Sequence, residues 1–416
     1  MRKISLVGIV VILLVLGALE YYSYSAIKYA VKGVKAPLRN YILGFYIALT
    51  VFWFASLLAF PYLRSPEANK TLRNFMISFT MGFLIMKLIV SLILFIDDIR
   101  RVLFYVIDKF YPDSTAPKLV QAGMTRSDFL NKFALLVGGA LFGGLVYGMT
   151  NRYNYRLKKK SINFNNLPSA FKGMRIIQIS DIHSGSLNDI KAVQKGIDLI
   201  MAQKPDLIFF TGDLVNNVST EIEQYIPLFK QLNAPLGVYS ILGNHDYGDY
   251  VEWDSIDAKK KNLDQLKQYH QQMGWRLLLN EHIVLDKEGQ QIAVLGVENT
   301  SFRNRFKSYG SLEKAYQGSE SLPFKILLSH DPSHWDGEVN SAYKDIDLTL
   351  SGHTHGFQFG VDIPWLKWSP VQYIYKQWAG LYQEGEQYLY VNRGFGFLGY
   401  PGRVGIMPEI TLLELI

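Results

Sequence analysis

The sequence contains no cysteine among its 416 residues. Disulfides and thiolate metal sites are therefore excluded, while the redox compartment stays open. Charge is also sparse, at 19% of residues against 49% hydrophobic, and the sparseness is uneven. Up to about residue 150 long apolar stretches dominate; the remainder reads as ordinary globular α/β sequence. Acid falls short of base, 36 residues against 43, for a net charge of +7. Beside long apolar runs this balance points to anionic headgroups, so no nucleic-acid partner is expected.

Four stretches approach the roughly 20 apolar residues that cross a bilayer. They are Ile4 to Leu19, Tyr41 to Leu63, Phe75 to Ile96 and Phe129 to Met149. Arg2 and Lys3 would suit a signal peptide, but no small-residue cleavage site follows and Glu20 comes next, so the first stretch reads as a retained anchor. Trp53, Tyr41, Tyr62 and Tyr105 suit interfacial positions. Gly139, Gly143, Gly144 and Gly148 have the small-xxx-small spacing of closely packed helices. Lys87 is the one charge deep in the expected spans, where it must be paired or hydrated. Transport pathways usually need several such charges, which weighs against the alternative of a transporter or sensor module regulated by the second part. Residues 1–150 are thus expected to form a transmembrane region of four helices, and 151–172, with its basic run "RYNYRLKKK", a juxtamembrane linker.

From Gly173 a short β-rich apolar run repeatedly ends in Asp, Asn or His. "MRIIQIS" leads to Asp181 and His183, "DLIFFTG" to Asp213, and "GVYSILG" to Asn244, His245 and Asp246. "FKILLS" leads to His330 and Asp331, and "DIDLTLSG" to His353 and His355. Continuous apolar runs suit strands buried on both faces. Helical patterns over 188–203 and 221–232 make the early part βαβ in character, and later strands lack long helices between them, so a mixed two-sheet core with outer helices is expected. Ligands gather at the carboxyl ends of such strands, where all five clusters lie. Two histidines one residue apart between glycines can reach one small object while the backbone passes close to it. Nitrogen and oxygen ligands without sulfur suit Mn²⁺, Fe²⁺ or Zn²⁺, and the inventory is large enough for two ions. Singly, Asp213 and Asn244 also read as strand-end turns, and His330 as a core histidine. His334, Glu298 and Tyr247 read equally as packing residues.

"SDIH", "GDLVNN", "GNHD", "SHDP" and "GHTHG", in this order, resemble the five signatures of the calcineurin-like metallophosphoesterases. The ending "VNRGFGFLGYPGRVGIMPEITLLEL" is similar to the membrane-associated bacterial branch. The resemblance covers 173–416 and implies a two-sheet phosphoesterase sandwich flanked by helices. It assigns Asp181, His183 and His355 to one metal, Asn244, His330 and His353 to the other, and Asp213 to both, with Mn²⁺ the first expectation. His245 would hydrogen-bond the phosphate or protonate the leaving oxygen, with Asp246 orienting it. The branch includes enzymes that split the pyrophosphate of a diacylated UDP-sugar in lipid A synthesis, so the expected substrate is an amphipathic phosphoester or pyrophosphate beside a lipid bilayer. One lipid A branch carries arginine where this chain has His245, which leaves phosphodiesterase and phosphomonoesterase activity open. Basic residues on the side of Arg2, Lys3, Arg64, Lys70, Arg73 and 152–160 place the catalytic part at the cytoplasmic face of a bacterial inner membrane. Lys28, Lys32, Lys35, Arg39, Arg100 and Arg101 burden the other loops almost equally, and "TRSDFLNKF" looks like an export signal with one arginine, which reads the other way.

Overall fold

A computed structural model describes residues 5–63, 70–110 and 117–416. Arg2, Lys3, Ile4 and Arg64, on which the first span and the orientation drew, lie outside the described residues. The chain divides into two compact units, Met1–Tyr147 and Gly148–Ile416.

The first unit holds α1 (Leu6–Ala30), α2 (Ala36–Leu63), α3 (Lys70–Phe110) and α4 (Pro117–Gly148), which ends at the unit boundary. All four are long and apolar enough to cross a membrane. Three expectations change here. First, α3 runs on past Ile96, so Arg100 and Arg101 are helical rather than loop residues. Asp97 pairs with both, at 2.8 and 3.0 Å, because residues three and four apart share a helix face. Second, Glu20 lies within α1 and forms an ion pair with Lys87, whose ammonium also sits 3.3 Å from Thr50 Oγ1. The rings of Trp53 and Phe83, 4.5 and 4.6 Å away, complete the enclosure of Lys87. Third, among the described residues a methyl group at Gly139, Gly143 or Gly144 would meet nothing within 4 Å, whereas one at Gly138 would crowd Val90 and Met86. Close packing therefore uses the neighbouring face of α4, one residue round the helix.

The second unit begins with β1 (Arg156–Ile162), β2 (Arg175–Ile179), α5 (Ile190–Met201), β3 (Leu207–Thr211), α6 (Ile226–Phe229) and β4 (Val238–Ile241). Then come α7 (Ile256–Gln272), β5 (Arg276–Leu277), β6 (Glu281–Lys287), β7 (Gln290–Gly296), α8 (Leu312–Tyr316), β8 (Lys325–Leu328) and α9 (Asn340–Ala342). The last elements are β9 (Leu348–Ser351), β10 (Val361–Ile363), β11 (Leu366–Trp368), β12 (Gly380–Glu384), β13 (Gln387–Val391) and β14 (Glu409–Leu415). Two six-stranded sheets form, in orders β1-β14-β2-β3-β4-β5 and β12-β13-β9-β8-β7-β6, with β10 and β11 a separate hairpin.

Ile176, Leu207, Phe209 and Ile241 of one sheet pack against Val294, Ile326, Leu328 and Leu350 of the other, closing a sandwich between them. The opposite face of the first sheet buries Ile177, Ile179, Ile208 and Phe210 under Val193 and Ile197 of α5 and Leu266 and Tyr269 of α7. Helix α5 starts where the Asp189 carboxylate accepts the Ala192 N–H, at 3.0 Å. Val339 and Trp335 cover the second sheet.

Two further expectations change. The second half of the basic run placed in a linker, Arg156 to Lys160, lies in β1, whose residues Arg156 to Ile162 pair in parallel with Glu409 to Leu415. An edge strand tolerates charge because one side faces water. The helix expected over 221–232 shrinks to a 3₁₀ turn, Ser219–Tyr225, and the short α6, with Pro227 in its first turn.

Candidate metal centre

Strands β2 and β3 and strands β3 and β4 pair in parallel in the first sheet, as do β8 and β9 in the second. Within each sheet their carboxyl ends therefore share an edge, and contacts of His353 with Asp181 and of His330 with Asp213 show that the two edges meet. There lie all the residues expected to ligate metal: Asp181 and His183 after β2, Asp213 after β3, Asn244 after β4, His330 after β8, and His353 and His355 after β9.

They meet as two groups. In the first, His183 Nε2 and His355 Nε2 are 3.0 Å apart and Asp181 Oδ1 is 3.2 Å from the latter. In the second, His330 Nε2 and Asn244 Oδ1 lie 3.3 and 2.8 Å from His353 Nδ1. Asp213 Oδ2 stands between the groups, 3.5 Å from His183 Nε2 and 3.1 Å from His330 Nε2. Within Asp181, His183 and His355, and again within Asp213, His330 and His353, the ligand atoms lie within 4.8 Å of one another.

The donor set fits two cations. Burial holds His183 down at about 3 and His353 at about 4, so both imidazoles stay neutral, the form that ligates metal. Burial also keeps His355 well below its ordinary value. Burial pushes the Asp213 carboxyl upward, but His330, His245 and His183 outweigh it and hold it well below the carboxylate range. Burial alone would lower His330, yet Asp213 beside it raises it to about 10. The buried carboxylate thus draws positive charge to this point, a demand that a cation held there would meet in place of a proton. The Asn244 amide N–H donates to Tyr250 Oη at 2.8 Å, which leaves its oxygen turned toward the second group.

The backbone is bent to this task. Asp181, His183, Asp213, His353 and His355 have φ of 51°, 47°, 61°, 71° and 51°, in the left-handed region that costs a side-chain-bearing residue on the order of 1–2 kcal/mol. Strand ends that stop abruptly this way aim successive side chains at one point. At Gly352 a Cβ would run into Ser180 Oγ and Asp181 Oδ2, which accounts for the first glycine of GHTHG.

His245 lies beside the first group, its ring edge-on to His183 with centroids 5.0 Å apart. Its Nδ1 faces the Asn216 carbonyl at 2.7 Å, so Nε2 is the free ring nitrogen. Asp246, expected to orient this ring, acts elsewhere. Its carboxylate accepts backbone N–H groups from Asp213, Leu214, Val215 and Gly243, at 2.8–3.2 Å, and so ties the two ligand loops together. Burial, with Asp213 alongside, pushes Asp246 up to about 7.

Of the weaker sequence candidates, Tyr247 stacks on Tyr309 and donates to Glu298 at 3.1 Å, while His334 sits between Ser329 and Glu338. Tyr375 and Arg403 were not anticipated. Tyr375 Oη is 2.9 Å from His353 Nε2 and donates to Asp331 Oδ2 at 3.3 Å. The fully buried Arg403 donates to the carbonyls of His355, Arg393, Gly394 and Gly396, fixing the loop behind His355. Tyr375 lies outside the ligand runs and carries no sequence signal of this kind, and Arg403, though within the C-terminal stretch quoted for the resemblance, is given no role by it.

Residues 174–357 match the family described as "Calcineurin-like phosphoesterase", and residues 2–152 that described as "Probable Calcineurin-like phosphoesterase, transmembrane domain". The chain is 33% identical over 305 residues to the Bacillus subtilis protein named uncharacterized metallophosphoesterase YkuE, covering 70% of this chain and 98% of that one. The chain belongs to the calcineurin-like phosphoesterase family. A zebrafish (Danio rerio) transmembrane protein with metallophosphoesterase domain is 28% identical over 311 residues, 72% of this chain; the match spans 65% of the zebrafish protein. Escherichia coli phosphodiesterase YaeI is 27% identical over 246 residues, covering 58% of this chain and 82% of its own. In this calcineurin-like phosphoesterase the two ligand groups form a candidate dinuclear metal site, and the chain is a metal-dependent hydrolase carried on a multi-pass membrane unit.

Proposed function

We propose that the protein is a membrane-anchored phosphoesterase that hydrolyses a lipid-borne phosphodiester or pyrophosphate, with Asp181, His183 and His355 on one cation, Asn244, His330 and His353 on the other, and Asp213 on both. The observation that carries the reading is the single Asp213 carboxylate oxygen facing a histidine of each group. Two divalent cations held there, Mn²⁺ first among Mn²⁺, Fe²⁺ and Zn²⁺, supply Lewis acidity that eases deprotonation of water and neutralises phosphoryl charge. The chain's own part is to position them and to handle the leaving group. His245, oriented by the Asn216 carbonyl, presents Nε2 to hydrogen-bond the phosphate or to give a proton to the departing oxygen. The four apolar helices favour a substrate met at a bilayer, and the name of the YaeI relative favours a diester. The balance of basic residues in the sequence favours the cytoplasmic face of a bacterial membrane.

The test is elemental analysis of wild type and Asp213→Asn. Wild type should carry two divalent ions per chain, and the variant should lose both together with activity. An active variant with full metal content would overturn the assignment.

A further inference from the structure

In the catalytic unit, large apolar side chains left in solvent concentrate in one segment. Phe357, Ile363, Trp365, Leu366, Tyr373 and Ile374 fall between residues 357 and 374, and Trp365 is 82% exposed, Tyr373 77% and Ile374 54%. The hairpin β10–β11, in which Val361, Asp362 and Ile363 pair with Trp368, Lys367 and Leu366, carries Pro364 and Trp365 at its tip. An exposed two-residue tip of proline and tryptophan is not what a water-facing turn requires, which is served by Gly, Asn or Asp.

This segment begins and ends at the metal centre. The chain leaves it at His355 and returns at Tyr375, whose hydroxyl touches His353. Contacts join the hairpin to the returning end: Trp368 Nε1 lies 3.4 Å from Tyr373 Oη, and Arg303 donates to the Ile374 carbonyl while covering the Tyr375 ring at 5.2 Å. A cavity of about 160 Å³, lined by Phe302, Arg303, Tyr375 and Lys376 among others, runs beside it. Its charged rim is mainly basic. Arg303 and Lys376 line it and the Arg305 charge acts on Tyr375, against one exposed acid, Asp336, which accepts from the Gln377 amide at 2.9 Å; Asp362 of the hairpin is paired with Lys158 and Arg393 at 3.1 and 3.2 Å.

We propose that the β10–β11 hairpin is a second, monotopic membrane contact: Trp365 and Leu366 enter the boundary between headgroups and acyl chains, and Arg303, Arg305 and Lys376 meet lipid phosphates. The occupant is the bilayer because the same chain is tied to one by its own spans, and because exposed Trp and Tyr beside Arg and Lys is the chemistry of an interfacial anchor. The path from Trp365 to Tyr375 then leads from the lipid to the metal ligands. A phosphoester at headgroup level can enter while its acyl chains stay in the bilayer. The membrane contact stands on the exposed surface and the chain's own spans; only its use for substrate entry rests on the proposed lipid-borne substrate.

The absence of cysteine makes a direct test available. The full chain carrying Trp365→Cys, or Lys314→Cys on α8 as a reference, is labelled with an environment-sensitive fluorophore and reconstituted into vesicles containing brominated phospholipid. Quenching at residue 365 should exceed that at 314 by about threefold or more. Equal quenching would overturn the proposal, and so would a label at 365 that is shielded from water yet unquenched, since a protein surface would then cover the hairpin. A kinetic arm uses Trp365→Ser combined with Leu366→Ser in the same vesicles. The ratio of rates on a vesicle-held and a water-soluble phosphodiester should fall roughly tenfold. Quenching together with an unchanged ratio keeps the hairpin in lipid and sinks the lipid-borne substrate instead.

Discussion

His245 is the residue whose role separates a catalyst from a metal-binding scaffold. With Nδ1 engaged by Asn216, the ring can act through Nε2 only, and in the proposed assignment no metal depends on it. His245→Ala should therefore keep both ions while losing about 10²–10⁴-fold in rate. The loss should shrink on substrates with good leaving groups, which need little protonation. A loss equal on good and poor leaving groups, measured across a series of aryl phosphodiesters, would leave phosphate binding as its only task. The candidate ligands that the fold brings together were legible in the sequence because each is announced locally, by an apolar strand that stops at Asp, Asn or His. Asp246 was half legible. Its place in GNHD marked it as important, but a buried carboxylate can orient a ring or collect backbone N–H groups, and only the fold reveals which.

Among the elements, α1, α2 and α3 hold the least expected interaction. Lys87 is wholly buried, and its ion pair with Glu20 is enclosed by Thr50 and aromatic rings. Removing one partner strands the other charge in an apolar setting. Lys87→Met should lower stability by roughly 3 kcal/mol or more, and adding Glu20→Met should restore most of that loss. Thermal unfolding of the two variants in detergent checks this, and a double variant worse than the single one would refute it. Sequence alone missed the pair because Glu20 lay just beyond the first apolar run as counted.

The α7–β5 region carries a second test. His270 is buried on α7 with Nδ1 2.9 Å from Ser240 Oγ, and burial lowers its imidazole to about 3. The unfolded chain takes up this proton near pH 6.5 and the folded chain does not. Stability is therefore full above about pH 6.5 and is lost on acidification from there toward pH 3, at about 1.4 kcal/mol per unit for one proton. In His270→Gln that share of the acid sensitivity should vanish, so the gap in melting temperature from wild type should narrow between pH 7.5 and 5. A constant gap would contradict the assignment. Helix α7 itself escaped the sequence reading because "KKKNLDQLKQYHQQ" offers few apolar positions to mark a period, whereas α5 offers Val193, Ile197 and Ile200.

At the scale of the molecule, the division into a membrane unit and a catalytic unit was legible from the change in composition, but the start of the second unit was not. A strand as basic as β1 is indistinguishable in sequence from a headgroup-binding tether, and only its pairing with β14 reveals it. The position of a cut should therefore matter. A fragment beginning at Gly148 retains β1 whole and should hydrolyse a soluble phosphodiester about as fast as the full chain. A fragment beginning at Ser161 lacks Arg156 to Lys160, exposes the side of β14 they cover, and should be poorly soluble and weakly active. Equal yield and rate from the two fragments would show that β1 is dispensable.

The strand order also sets a timetable. Strand β14 lies between β1 and β2, though both of its neighbours leave the ribosome long before it does. Until Glu409 to Leu415 emerge, the sheet has a slot one strand in from its edge, and β2, which ends beside Asp181 and His183, keeps one backbone edge unpaired. By then the apolar helices have already been made and can have entered their bilayer. The nascent catalytic unit must wait at that surface with an adhesive strand edge exposed. Metal loading should come late, after the closing strand has arrived, and a translational pause before Glu409 would prolong the interval in which chaperones or neighbouring chains can reach the open slot.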